Sequence, residues 1–235
     1  MKTQTIVNEV VEALEAASSR ERVELSKYYF PTSMRVIGST NPDAREVIKG
    51  LKEKYKELTE DEWIHLCIAL VKTNIFECQG MAYELIGKNN KLWPFITLEH
   101  VEKLKRNLDN WASVDGFAVY VCGVQWRLGT VSDAWINALL KSKDHWERRL
   151  AVVSTVALNL KSRGGTGDVA RTIAVCEQVV NDKQDMVVKA LSWALRELSK
   201  RERDVVSEFI EKHRNSLAKR VLKEVSHKLE FGTKN

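Results

Sequence analysis

Thr59-Glu60-Asp61-Glu62-Trp63-Ile64 begins a helix by its own chemistry, and its downstream pattern returns later in the chain. A threonine N-cap followed three residues on by glutamate is a capping box. Each side chain satisfies a backbone N–H that the first turn leaves without a partner. From there Glu62-Trp63-Ile64 leads through Ala69-Leu70 to Phe76-Glu77. Ala134-Trp135-Ile136 leads in the same order through Leu139-Leu140 to Trp146-Glu147. The two Trp-Ile pairs stand 72 residues apart, an interval that holds two repeats of roughly 35–45 residues each. Stacked helix pairs of this length build an α-solenoid, whose concave face can grip an extended partner.

The rest of the chain agrees. Val7, Val10, Val11 and Leu14 recur at helical spacing, and a short second helix follows through Val23, Leu25 and Tyr28 until Pro31 ends it. Asn41-Pro42-Asp43 opens a third, read with Asn41 as N-cap and proline in the first turn. Further helices are expected near 76–88, 97–107, 110–127, 132–141, 144–160, 167–181, 185–199, 202–213 and 216–229. Period-2 alternation is absent, so the expectation is an all-α fold of about a dozen helices with short loops. It is read as a single domain over residues 1–235, with antiparallel helix pairs stacked around a concave basic face.

Composition narrows the function classes. Hydrophobic content of 44% and charged content of 29% describe an ordinary globular protein. Lys and Arg exceed Asp and Glu by 37 to 32, too small a margin to name a partner. Its placement is more telling: residues 212–228 carry six Lys and Arg against Glu224 alone, a local +5 that equals the net charge of the chain. A solvated helix face also accounts for such a run. Cys67, Cys78, Cys122 and Cys176 are far apart, form no C-x-x-C pair and read as buried free thiols, with no zinc or dithiol site. No metal pattern joins Glu62 and His65, and no G-x-S-x-G is present. Arg163-Gly164-Gly165-Thr166-Gly167 lacks the Gly-Lys-Ser/Thr ending of a phosphate loop and reads as a flexible interhelical loop. Met1 to Ser18 has no apolar signal core, and no run approaches the ~18 apolar residues of a membrane span. A cytoplasmic protein is expected.

Three clusters carry candidate chemistry. In Asn110-Trp111-Ala112-Ser113-Val114-Asp115-Gly116, Trp111 and Asp115 share one helix face, an aromatic surface beside an anionic oxygen. That pairing suits stabilisation of a cation; a core tryptophan beside an exposed aspartate is the plainer alternative. Trp193, Arg196 and Lys200 form a stripe of one aromatic and two cations. It fits a sugar or base with its phosphates, or equally a tryptophan covered by an arginine stem. In His145-Trp146-Glu147-Arg148-Arg149 the adjacent arginines diverge, so at most one faces a given cleft.

From about residue 8 to 229 the chain resembles the DNA alkylation repair family, the HEAT-like-repeat DNA glycosylases. The resemblance is carried by Trp111-x-x-x-Asp115, Trp146-x-x-Arg149, Trp193-Ala194-Leu195-Arg196 with Lys200, the element Met34 to Pro42, and Ser216-Leu217-Ala218-Lys219-Arg220. It implies a monofunctional glycosylase of base excision repair, needing no cofactor or metal and acting as a monomer on double-stranded DNA with alkylated purines. By position Asp115 would be the catalytic carboxylate, and Trp111 and Trp193 would line the cleft beside the lesion's deoxyribose. Arg149 would hold a phosphate, with Arg196 and Lys200 adding backbone contacts. Tyr29, Thr40, Lys219 and Arg220 fall where the family meets DNA, and the damaged base need not be flipped into a pocket. Relatives that bind branched DNA without excision leave a non-catalytic DNA binder as the alternative. A protein-binding solenoid is a third.

Overall fold

The structure, a computed structural model, describes residues 2–233; residues 1, 234 and 235 of the expected domain lie outside the described residues. The fold is all-helical, built from paired helices as the repeat pattern predicts, and the chain divides into two compact units, one ending at Val121 and one beginning at Cys122.

The first unit holds α1 (Lys2–Ala16), α2 (Arg20–Tyr29), α3 (Asn41–Lys54), α4 (Glu60–Lys72), α5 (Phe76–Gly87), α6 (Leu98–Leu104) and α7 (Trp111–Phe117). The capping box of Thr59 and Glu62 forms, and α4 then packs on α5 as a hairpin. Ile64, Leu66, Leu70, Met81, Leu85 and Ile86 form its fully buried seam. Helix α2 differs from its neighbours: its sole buried residue is Ser26, while Leu25, Tyr28 and Tyr29 are exposed. The cap of α3 is Thr40, not Asn41. Asp43 completes a second capping box with it, which moves Asn41 and Pro42 into the first turn.

Helix α7 runs into a π-helical segment, Ala118–Cys122, where the sequence predicts an unbroken α-helix. The wider turn seats Tyr120 against α5, and Gly87 is what allows it, since a Cβ there would collide with the tyrosine ring.

The second unit continues with α8 (Gly123–Leu128), α9 (Asp133–Leu140), α10 (His145–Asn159), α11 (Val169–Gln178), α12 (Asp185–Leu198), α13 (Arg203–Lys212) and α14 (Lys219–Phe231). Helix α10 is its axis. All residues from Arg149 to Asn159 are buried, and α8, α9, α11 and α12 pack around them. Its polar residues bond within the core: Ser154 donates to the Leu150 carbonyl at 2.7 Å, and Asn159 donates to Thr172 at 3.0 Å. The glycine segment after α10 is not a loose loop. The amides of Gly165 and Gly167 donate to the carbonyls of Leu160 and Leu158, and Arg201 binds the Gly165 carbonyl at 2.9 Å. A Cβ on Gly165 would lie 2.6 Å from the Ala157 oxygen. Those amides end a helix and have none to spare for a phosphate. All four cysteines are buried thiols, and burial pushes Cys67 and Cys78 up to about 12.

Candidate functional site

In the first unit α2, α3, α5 and α7 surround a largely apolar cavity of about 810 Å³. The sequence folds here because Asn110 caps α7: its side-chain oxygen accepts the amides of Ala112 and Ser113, each at 3.0 Å. Trp111 therefore begins the helix with a fixed direction. Its indole Nε1 donates to the Tyr29 carbonyl at 2.9 Å, and the two rings meet edge-on, 5.4 Å apart at 83°. Tyr29 remains 70% exposed. Residues 82 positions apart in sequence thus form one aromatic corner of the cavity.

A carboxylate that sequence reasoning missed ties down the same corner. Asp109 accepts from the Thr32 hydroxyl at 2.7 Å, the Ser33 amide at 2.6 Å and the Asn110 side-chain amide at 3.0 Å. Burial pushes the Asp109 carboxyl up, but these bonds outweigh it and hold its pKa below the ordinary value. Its one local signal was its place directly before an N-cap. Its other partners lie 76 and 77 residues away, outside any local pattern.

Asp115 is half-buried on α7, one turn beyond Trp111. By helix geometry it falls about 40° around the axis from Trp111 and about 60° from Ala112. Both of those residues line the cavity, while Asp115 itself does not. Thr40 does line it, although its hydroxyl is already engaged with Asp43 at 2.6 Å.

In the second unit the two arginines of α10 diverge as expected. Arg148 pairs with Asp182 at 2.7 Å. Arg149 is only 5% exposed and donates to the Met186 carbonyl in the first turn of α12. Trp193 is half-buried on α12. Arg196, with its side chain 14% exposed, turns to Glu224 of α14 at 3.7 Å, and burial lowers its pKa against the pull of that carboxylate. Glu224 also accepts the Ser192 hydroxyl at 2.6 Å and lies 3.5 Å from Arg220. Lys200 is paired with Glu197 at 2.6 Å. The stripe foreseen from Trp193 to Lys200 is therefore half internal: Arg196 braces α12 against α14, and Lys200 alone of its cations is well exposed. Lys219 and Arg220 are exposed at the start of α14.

Among the described residues no three His, Cys, Asp or Glu side chains gather as a metal site, and no helix is long and apolar enough to cross a membrane.

Comparison with curated proteins found no match. Among solved structures, one titled a predicted DNA alkylation repair enzyme from Enterococcus faecalis has a similar fold. Its TM-score is 0.69 at 16% identity, covering 92% of this chain and 98% of that one. The family model described as DNA alkylation repair enzyme matches residues 10–229. With nearly its whole length matched, the chain belongs to the DNA alkylation repair enzyme family, and its role lies in DNA repair.

Proposed function

We propose that the protein is a monofunctional DNA glycosylase of base excision repair. It hydrolyses the N-glycosidic bond of N-alkylated purines, the 3-methyladenine and 7-methylguanine class, and leaves an abasic site. The observation that carries this reading is the fixed opening of α7: the Asn110 cap and the Trp111–Tyr29 bond hold an indole and the Asp115 carboxylate one turn apart.

An alkylated purine already carries positive charge, so the C1′–N bond breaks with its electron pair leaving on the base. The sugar is left with oxocarbenium character, as in glycoside hydrolysis generally. Asp115 stabilises that cation and orients the water that adds to C1′ and gives up a proton. The indole face of Trp111 contributes by cation–π attraction, worth about 0.5–2 kcal/mol, and Trp193 is assigned the same role toward the substrate. No lysine nucleophile takes part, so the strand is not cut. No cofactor is needed, and the protein acts as a monomer in the cytoplasm.

Phosphate contacts fall to the exposed Lys200, Lys219 and Arg220 in the second unit, and backbone contacts to the exposed Tyr29 and the half-buried Thr40 in the first. Helix α14 opens with Lys219 and Arg220, has no acid in its first turn and no side-chain cap on Ala218. Cations at the positive end of a helix favour an added anion; Arg220 already has Glu224 at 3.5 Å and Asp185 at 4.0 Å, so a phosphate there falls chiefly to Lys219. Arg149 and Arg196 support the site from inside.

The test is release of free base from randomly methylated duplex DNA by wild type and Asp115→Asn. Wild-type release with none from the variant, at equal or higher DNA affinity, is expected; equal release would remove Asp115 from the chemistry. A non-catalytic DNA binder is the second reading, favoured by the position of Asp115 outside the cavity lining. Binding without release by either protein would establish it.

A further inference from the structure

Burying a carboxylate is costly unless cations and hydrogen bonds meet it. Among the described residues two acids are buried, Glu197 and Glu224, and both lie in the second unit beside basic side chains. Glu197 holds Lys200 at 2.6 Å. Glu224 accepts the Ser192 hydroxyl at 2.6 Å and has guanidinium nitrogens of Arg220 and Arg196 at 3.5 and 3.7 Å. Each buried acid is therefore matched to a cation assigned to DNA, Lys200 in one case and Arg220 in the other.

The three partners of Glu224 differ in freedom. Ser192 is fully buried, and Arg196 is enclosed, with its Nε donating to the Ser192 hydroxyl at 3.3 Å. Arg220 keeps 47% of its side chain exposed, so it alone can leave for another anion. Its second acid, Asp185, stands 4.0 Å away and is already paired with Lys189 at 2.6 Å. Glu224 is thus what holds the guanidinium. The order along α14 is the weaker one for a helical pair, with the base one turn N-terminal to the acid. Helix formation gives that contact little, and the burial of Glu224 against α12 fixes it instead. A phosphate at the first turn of α14 must then draw Arg220 away from a carboxylate left with less compensation in the interior.

We propose that Glu224 is an internal counter-ion that restrains DNA binding: it holds Arg220 back, so the second unit grips any duplex less tightly than its cations allow. The proposal rests on the DNA contacts proposed for α14 and not on base excision. Phosphate contacts carry no information about the base. Restraining them lowers the affinity for intact DNA, against which a damaged site has to be distinguished.

The experiment follows anisotropy of the full chain on a labelled, undamaged duplex across a salt series. Wild type is compared with Glu224→Gln, Arg220→Ala and the double variant. Glutamine keeps an acceptor for Ser192 but loses the charge. Log affinity should then fall more steeply with log salt, by about 0.9, the size of one phosphate contact. With affinities equal at 1 M salt, that slope makes the variant about eightfold tighter at 0.1 M. Arg220→Ala alone should lower the slope by less than Lys219→Ala does, and the double variant should match it. An unchanged slope in Glu224→Gln, or the same increase with and without Arg220, overturns the proposal; the second result would assign the effect to bulk charge or to Arg196. Should Glu224→Gln melt below the assay temperature, the comparison of Arg220→Ala with Lys219→Ala decides instead. Equal losses would mean that Arg220 is already a full contact and that nothing restrains it. Absence of duplex binding by wild type overturns the proposal together with the DNA contacts of α14. Binding without base release leaves the proposal standing and removes only the glycosylase reading.

Discussion

At the scale of single residues, the site depends on Asp109. The carboxylate is bound by Thr32, Ser33 and Asn110, which joins the end of α2 to the cap of α7 and so sets Tyr29 against Trp111. Its pKa lies below the ordinary value in the folded chain. A depressed carboxylate contributes stability that is complete above its unfolded pKa, about 3.9, and is lost as pH falls through its folded value. Asp109→Asn keeps the shape and one acceptor but not the charge. Urea unfolding should therefore show wild type more stable than the variant at neutral pH, with the gap closing below about pH 4. A gap that is the same at both pH values would mean the charge itself contributes nothing.

Secondary-structure elements show which parts of the molecule were legible in the sequence. Helices with a side-chain cap had their starts placed to within a residue or two: Asp144 opens α10 and Ser132 opens α9 where the pattern put them, while uncapped ends such as that of α6 at Leu104 fell short of the pattern. The cap of α3 was misplaced by one residue because Asn41 and Thr40 are both good caps. The choice between them lies in Asp43, which reaches back to the Thr40 amide at 2.7 Å. The π turn left no trace, since its cause is the seating of Tyr120 on Gly87, far away in sequence. Arg149 and Arg196 looked like surface cations by type, and only the packing of α10, α12 and α14 turned them inward. The Trp111–Asp115 spacing was legible because helix geometry alone relates the two; the Tyr29 corner was not. Thr40 now has two possible duties, cap and DNA contact. Thr40→Ala should cost about 1 kcal/mol of stability through the lost cap. Thr40→Asn keeps a side-chain cap without the hydroxyl, so a loss of DNA affinity shared by both variants would separate contact from capping; unchanged stability in Thr40→Ala would dismiss the cap.

For the whole molecule the question is where the charge can act. The net +5 of the chain equals the excess within residues 212–228, and the lone acid of that stretch, Glu224, is buried against Ser192, with Arg196 and Arg220 within ion-pair distance. What faces solvent from this segment is therefore positive. A protein that neutralises phosphates releases counterions, and log affinity falls with log salt by about 0.9 for each phosphate on duplex DNA. Lys219, exposed in the first turn of α14, should supply one full contact. Lys219→Ala is expected to reduce that slope by about 1 and to weaken every duplex alike. Lys200 is already paired with Glu197 at 2.6 Å, so DNA must compete with a partner the lysine already has, and Lys200→Ala should change the slope by less. Asp115→Asn should leave the slope as it is, because a carboxylate directed at the sugar neutralises no phosphate. The three slopes, measured by anisotropy over a salt series, distinguish phosphate contact from chemistry. An unchanged slope in Lys219→Ala would mean that the basic end of α14 is a solvated face and that DNA is held elsewhere.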